Sequence, residues 1–306
     1  MAGPTRRAFR ARAIYRLLVV IGAIGRRIPL PIGRALGRAL GTLAWHLLKR
    51  ERNKALRNIA VAFPEWSDAK RRATIKAMFR HHGMSLFEIA WLPNVTRENL
   101  AETSDIDGLD AVLAKIDEGR GVVAFTGHCG NWEWVAYAAG LHGRPMTVMQ
   151  RERNEADLNR FIVELRARAG IRTIDRGSAG AGREMIQNLK RGGMTCFLID
   201  QNIRAESAKV PFFGHPALTP IGPAKLAIRT GAMIALAFIE RRNGRQQIRW
   251  TGPFETSRDD DPIALTARIT AAIEDQIRRA PEQWVWMHDR WRERKGWDVG
   301  GDRIEN

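Results

Sequence analysis

The chain has 306 residues and only two cysteines, Cys129 and Cys196. Two thiols are too few for a disulfide framework or a zinc ribbon, and their scarcity suits a reducing compartment. There is no H-E-x-x-H, no paired C-x-x-C and no dense His/Asp cluster, so no metal site is expected. A Walker glycine loop and a G-x-G-x-x-G between strand and helix are also missing, which argues against nucleotide chemistry. No segment repeats with a period of roughly 20–50 residues, which excludes a solenoid or propeller.

Acidic residues are scarce as well. The chain carries 33 Asp and Glu against 50 Lys and Arg, a formal net charge of +17. The excess is concentrated at one end: residues 1–57 contain fourteen Lys or Arg and a single acid, Glu51. Such a region implies a polyanionic partner, whether a membrane surface, an acidic protein or nucleic acid.

A long unbroken apolar run is missing too. Leu17–Ile24 is far shorter than the roughly 20 residues that span a bilayer. The block from Pro29 to Leu48 is long enough but contains Arg34, Arg38 and His46, which are costly at a bilayer centre. No clean small-residue cleavage site follows, so a signal peptide is not expected. Residues 1–57 read instead as basic amphipathic helices forming an interfacial hairpin, with apolar stripes among acyl chains and arginines at phosphates. Gly33, Gly37 and Gly41 recur every four residues, a spacing that lets another helix approach closely.

Residues 58–306 read as the second region. A helix is expected to end near Phe63-Pro64, and Ser67 to cap another that runs to about Trp91, before Pro93. Ile75, Phe79, His82, Leu86 and Ile89 recur at helical spacing, and His81 and His82 read as packing or surface residues. Farther on, helices are expected at 109–118, 132–141, 155–169, 178–191, 222–230 and 262–280. Strands are expected at 121–126, 145–150, 171–175, 194–200, 232–240 and 246–252. This alternation predicts an α/β fold, a largely parallel central sheet flanked by helices. Such sheets place ligand groups just beyond the carboxyl ends of their strands. His128 follows one strand in that position, and Asp200 ends another.

In "GHCGNWEW", residues 127–134, a histidine and a carboxylate stand five positions apart in a glycine-broken turn. A neutral imidazole takes a proton from a hydroxyl at cellular pH, and a carboxylate improves it by fixing its tautomer and stabilising the imidazolium. Here the Gly130 turn would fold Glu133 back onto His128. The same residues also suit a satisfied buried histidine beside a first-turn glutamate, with Trp132 and Trp134 as core. Residue types alone leave both readings open. Cys129 is a poor rival nucleophile, because neighbouring residues of an extended segment point in opposite directions.

This stretch is similar to the histidine–four-residue–acid signature of glycerolipid acyltransferases. More closely, the chain resembles the lipid A late acyltransferases, the lauroyl and myristoyl transferases of Gram-negative inner membranes. "RNIAVAFPEWS" resembles that family's N-terminal signature, and Glu88 in "SLFEIAW" stands where a glutamate is expected. "RERNEADLNRFIVELRARAG" resembles its arginine-led helix, and "FLIDQN" the strand ending in Asp-Gln. "VPFFGHPALTPIGPAKLAIRTGA" and "PEQWVWMHDRW" match the blocks that follow. Two positions depart from the pattern: Glu152 and Ala156 stand where the family commonly has proline.

The resemblance implies transfer of a fatty acyl chain from a thioester to a hydroxyl of a membrane lipid. It implies His128 as general base with Glu133 holding it, and Arg166 and Asp200 as further catalytic or positioning groups. Gly127, Asn131, Arg151 and Gln201 would bind substrate. The donor would be acidic acyl carrier protein or a coenzyme A thioester, with no resident cofactor. The location would be the cytoplasmic face of the inner membrane, peripheral or monotopic, against anionic lipids. The backbone amides of residues 127–132 are local candidates for oxyanion donors. Related acceptors, a lysophospholipid or a phosphatidylinositol-mannoside-type glycolipid, suit the same chemistry. A basic nucleic-acid-binding protein is the third reading: it explains the charge but not the histidine–acid turn, and nucleic acid is not an expected partner. In the tryptophan-rich C-terminal segment, Trp284 and Trp286 read as core, and Trp291 and Trp297 as residues of a membrane interface.

Overall fold

A computed structural model of the chain describes residues 25–150 and 156–292. Helix α1, Leu30–Leu47, is followed by α2, Lys49–Ala62, and α3, Asp68–Trp91. Ser67 caps α3 as expected, its hydroxyl accepting from the Lys70 N–H at 3.3 Å. All three glycines of α1 face α3, Gly33 against the Phe87 ring and Gly37 and Gly41 at backbone contact. A Cβ on Gly37 would lie 2.5 Å from the Gly83 carbonyl oxygen, and one on Gly41 2.2 Å from that of Phe79. No side chain fits there, so the glycine spacing is the condition for this pairing. The first arm of the expected hairpin falls on residues 1–24, outside the described residues.

Along α3, Ile75 and Phe79 are buried as their spacing predicts, but Leu86 is 64% exposed. The division expected at residue 57 lies inside α2, whose Ala55 and Ile59 belong to the same core as Phe125 and Phe197 of the sheet.

The remainder alternates strands and helices. After the short α4, Leu100–Thr103, come β1, Ser104–Asp107, α5, Leu109–Asp117, β2, Val122–Thr126, and α6, Trp132–Gly140. They lead to β3, Met146–Gln150, α7, Ala156–Arg168, β4, Ile171–Asp175, α8, Ala181–Lys190, and β5, Met194–Leu198. A hairpin of β6, Ser207–Phe212, and β7, His215–Pro220, stands apart from the main sheet. Then follow α9, Gly222–Thr230, β8, Met233–Arg242, β9, Arg245–Phe254, and α10, Pro262–Arg279.

Seven strands form one sheet in the order β1-β9-β8-β2-β5-β3-β4, parallel except for the β8–β9 pair. Alternate residues of β2 face two separate cores. Val123 and Phe125 join Ile273, Trp284 and Trp286 on one face, and Val122 and Ala124 join Leu113, Trp134 and Val148 on the other. A sheet covered on both faces requires strands apolar on both sides, which is why β2 reads as a continuous run. This layout places the ends of β2, β3 and β5 side by side, and the site is built there.

The C-terminal segment Pro281–Arg292 straps across the first core. Asn58 of α2 donates its amide to the Trp286 and His288 carbonyls at 2.7 and 2.6 Å. Trp291, expected at a membrane interface, instead packs against Phe212 and donates its indole N–H to the Phe212 carbonyl at 3.2 Å. Trp297 lies outside the described residues.

Candidate active site

The turn between β2 and α6 carries His128 to the carboxyl edge of the sheet, and β5 delivers Asp200 beside it. The His128 Nδ1–H donates to Asp200 Oδ1 at 2.7 Å, and the His128 backbone N–H donates to Oδ2 at 2.7 Å. Trp284 adds its indole N–H to Oδ2, also at 2.7 Å. Gly127 is what admits the carboxylate: a Cβ there would stand 3.2 Å from Asp200 Oδ2 and 2.8 Å from Ile273.

Asp200 is 1% exposed. Burial alone would raise its pKa, but the His128 charge and the hydrogen bonds of His128 and Trp284 outweigh it and bring the carboxyl down to about 2. The carboxylate therefore stays ionised and fixes the imidazole with its proton on Nδ1. That leaves the Nε2 lone pair as the proton acceptor.

The partner expected for His128 was Glu133, and the structure corrects this. Glu133 turns away to Arg166, which donates from Nε and Nη2 to its two oxygens at 2.8 and 2.6 Å. Arg166 also donates from Nη1 to Gln150 Oε1 at 2.8 Å. With three nitrogens so engaged, Arg166 anchors Glu133 rather than presenting a bare cation. The physical reason is helical geometry: Glu133 lies in the first turn of α6, on the side facing α7, while the imidazole ring reaches across to β5. Two separate pairs thus replace one expected pair.

His128, Glu133, Arg166 and Gln201 line one cavity of about 970 Å³. Its apolar wall includes Met149, Met185, Phe197, Ile199 and Leu226; Arg176 and Arg229 supply positive charge, while Lys225 is paired with Glu206 of the same lining. A cavity of this size and mixed lining suits a long apolar ligand with an anionic end. Trp132 lies at the same wall with its ring edge-on to His128, centroids 4.8 Å apart.

Asp200, Gly127 and Asn131 lie behind this wall. Asn131, expected to touch substrate, is 2% exposed. It caps α6, its Oδ1 accepting from the Trp134 N–H at 3.3 Å, and its amide donates to Glu88 Oε2 at 3.1 Å. Arg151 lies outside the described residues. Cys129 is buried, and burial together with the Asp200 charge raises its thiol well above the usual range, so it is no nucleophile at neutral pH.

The backbone of the turn is more constrained than its sequence suggests. The Gly130 N–H donates to the Gln283 carbonyl at 2.7 Å, and that of His128 is engaged by Asp200. Among the described residues, the N–H groups of Cys129 and Asn131 donate to no protein group. Both belong to buried residues outside the cavity lining, whereas Trp132 and Glu133, in the first turn of α6, line it.

Sequence reasoning missed Trp284, Gln283, Gln150 and Trp132 as parts of this site. Trp284 and Gln283 lie in a segment singled out for its tryptophans, yet nothing in their spacing reveals a contact with a carboxylate 84 residues away. Gln150 stands at the end of an expected strand, the position at which ligand groups gather, and was legible to that extent.

A family model described as bacterial lipid A biosynthesis acyltransferase matches residues 4–293. The lipid A biosynthesis palmitoleoyltransferase of Escherichia coli (strain K12) is 28% identical over 273 residues, covering 88% of this chain and 87% of that protein. The lipid A biosynthesis lauroyltransferase of the same organism is 28% identical over 275 residues, 88% of each chain. The phosphatidylinositol mannoside acyltransferase of Mycobacterium tuberculosis (strain ATCC 25618 / H37Rv) is 27% identical over 222 residues, 70% of this chain and 69% of that protein.

Proposed function

The chain belongs to the bacterial lipid A biosynthesis acyltransferase family, and from that premise we propose that it is an O-acyltransferase moving a fatty acyl chain from a thioester to a hydroxyl of a membrane glycolipid, a lipid A precursor. The observation that carries the proposal is the His128–Asp200 pair, 2.7 Å apart, opening onto a cavity of about 970 Å³ with one apolar wall and a basic rim.

In this reading His128 Nε2 takes the proton of the acceptor hydroxyl while Asp200 stabilises the imidazolium. The oxygen attacks the thioester carbonyl, a C–O bond forms, and the tetrahedral oxyanion is met by first-turn backbone N–H groups of α6, where Trp132 and Glu133 line the cavity. Collapse breaks the C–S bond, and the departing thiolate takes the proton back from His128. Glu133, locked to Arg166, holds the polar wall beside the reacting centre. The acyl chain lies along Met149, Met185, Phe197 and Leu226, each buried methylene contributing about 0.8 kcal/mol. Acyl carrier protein or coenzyme A is the donor; either brings the negative charge that Arg176 and Arg229 favour.

The membrane face is α1. Ile32, Leu36, Leu40, Leu43 and Leu47 form an outward stripe, 52 to 67% exposed, beside exposed Arg38, Lys49 and Arg50. Among the described residues no helix is long and apolar enough to cross a membrane. An apolar stripe flanked by arginines lies in the interface of an anionic leaflet, which supports peripheral association with the cytoplasmic face of the inner membrane. A second acceptor reading, a phosphatidylinositol-mannoside-type glycolipid, is favoured by the 27% identity to the mycobacterial enzyme.

The test is mass spectrometry of lipids from cells lacking the gene, complemented with wild type or His128→Ala. Lipid A short of one secondary acyl chain, restored by wild type alone, is the expected result. Intact lipid A with another glycolipid altered would move the reaction to that acceptor. Full complementation by His128→Ala would refute the mechanism.

A further inference from the structure

One buried carboxylate has no part in that reaction. Glu88 of α3 is fully buried and lies outside the cavity. Four donors converge on it from three other elements. Arg34 of α1 donates from Nε to Oε1 at 2.6 Å, and Arg241 of β8 donates from Nε to Oε1 and from Nη2 to Oε2, at 2.8 and 2.5 Å. The fourth is the Asn131 amide, at the end of the catalytic turn. Arg34 also donates to the Gly244 carbonyl in the β8–β9 turn.

Stability alone is a poor account of this cluster. A buried ion pair is often replaced by apolar residues at no loss, and here two guanidinium groups share one carboxylate. The Arg34 Nη2 is buried without a partner, so the arrangement is not the one that maximises stability. What it does achieve is geometric. Asn131 is gripped at both ends, capping α6 with one atom and bound to Glu88 with another. Between that grip and the Gln283–Trp284 brace on the other side hangs His128. The same carboxylate holds the inner face of α1, whose outer face carries the leucine stripe.

We propose that Glu88 is a positioning residue: through Asn131 it sets the placement of the catalytic turn, and through Arg34 it makes the seating of the membrane-facing helix a condition of that placement. The proposal rests on the acyl-transfer reading for its kinetic test but not for its structural one. A displacement of about 1 Å at a reacting group costs on the order of 100-fold in rate, so a loosened turn lowers kcat while the cavity, and hence KM, is spared.

The experiment uses the full chain and two single substitutions, Asn131→Ser and Arg34→Met, with their double. Serine still caps α6 but is too short to reach Glu88. Methionine removes the surplus buried cation and leaves Glu88 paired with Arg241. Asn131→Ser is expected to lower kcat roughly 10- to 100-fold, with KM within about twofold and an unchanged melting temperature. Arg34→Met is expected to lower kcat less, to keep wild-type binding to anionic vesicles, and to speed amide hydrogen exchange at residues 128–133. Because both act through one carboxylate, the double variant is expected to be no slower than the slower single by more than about twofold. Wild-type kcat in Asn131→Ser, a loss confined to KM, or multiplying effects in the double would each overturn the proposal. Unchanged exchange at 128–133 in Arg34→Met would overturn it too, and that readout decides if Asn131→Ser does not fold. If the wild type transfers no acyl group, the functional reading falls, while the exchange measurement still judges the tether.

Discussion

Two buried carboxylates, Glu88 and Asp200, each gather several donors, yet they are built from opposite kinds of partner. Glu88 is met by two arginines and an amide, so its surroundings carry permanent charge. Burial would raise its pKa, but Arg241 and Arg34 more than offset that and hold it below the usual range. Asp200 is met by an imidazole, a backbone amide and an indole, none of which carries a permanent charge. The first arrangement cannot change state and serves as a fixed point. The second places one mobile proton at the wall of a cavity. Permanent partners hold geometry, and titratable partners do chemistry.

The sharpest way to test that contrast is Asp200→Asn. The new amide must offer its oxygen to the Trp284 and His128 N–H donors, which turns its NH2 toward Nδ1. The imidazole then carries its proton on Nε2 and cannot accept one from a hydroxyl. Acyl transfer by the purified enzyme is expected to fall about 10³- to 10⁴-fold, with little change in unfolding free energy. Glu88→Leu should do the reverse to stability, leaving two buried guanidinium groups unpaired at a cost of about 3–5 kcal/mol in urea unfolding. The comparison breaks if Glu88→Leu unfolds like wild type, or if Asp200→Asn loses stability and keeps turnover.

A smaller effect probes a titratable neighbour of the Glu88 cluster. His81 Nδ1 accepts from Arg241 Nη1 at 2.7 Å, and burial first, then the Arg241 charge, lowers its pKa from 6.5 to about 3. Between those values the unfolded chain binds a proton that the folded one does not. Stability from this group is therefore complete above pH 6.5 and is lost as pH falls toward 3, by up to about 1.4 kcal/mol per pH unit. Burial likewise lowers His82 and His288, adding slope of the same sign. Denaturation at pH 5 and 7 should show a shallower dependence in His81→Gln than in wild type; equal slopes would remove His81 from the account.

The sheet was legible wherever strands are apolar on both faces and helices have a clear stripe, as at Val122–Thr126 and Met194–Leu198. The four-residue β1 and the β6–β7 hairpin were not. Their sequences contain Pro211, Pro216 and Pro220 or too few residues for a period, and their pairing is a tertiary fact. Within the site, the strand-end rule pointed to both His128 and Asp200, but nearness along the chain favoured the wrong partner for the imidazole. Glu133 is five residues from His128 and Asp200 is 72, and only the parallel β2–β5 register brings the distant one into contact. The glycine spacing of α1 foretold its close packing on α3. Arg34 read as a phosphate ligand because its charge was visible in sequence and the buried carboxylate across the helix pair was not.

The burial of both thiols has a practical consequence. Cys129 sits directly after the catalytic imidazole and Cys196 lies within β5, and both are closed to solvent. An alkylating reagent reaches Cys196 only when the sheet opens around β5, and Cys129 only when the turn lifts from the Gln283–Trp284 segment, so the two labelling rates under native conditions clock those openings. Protection of Cys129 by a bound acyl donor would then report occupancy of the cavity without any turnover. The scarcest residue type in the reactive turn serves as its timepiece.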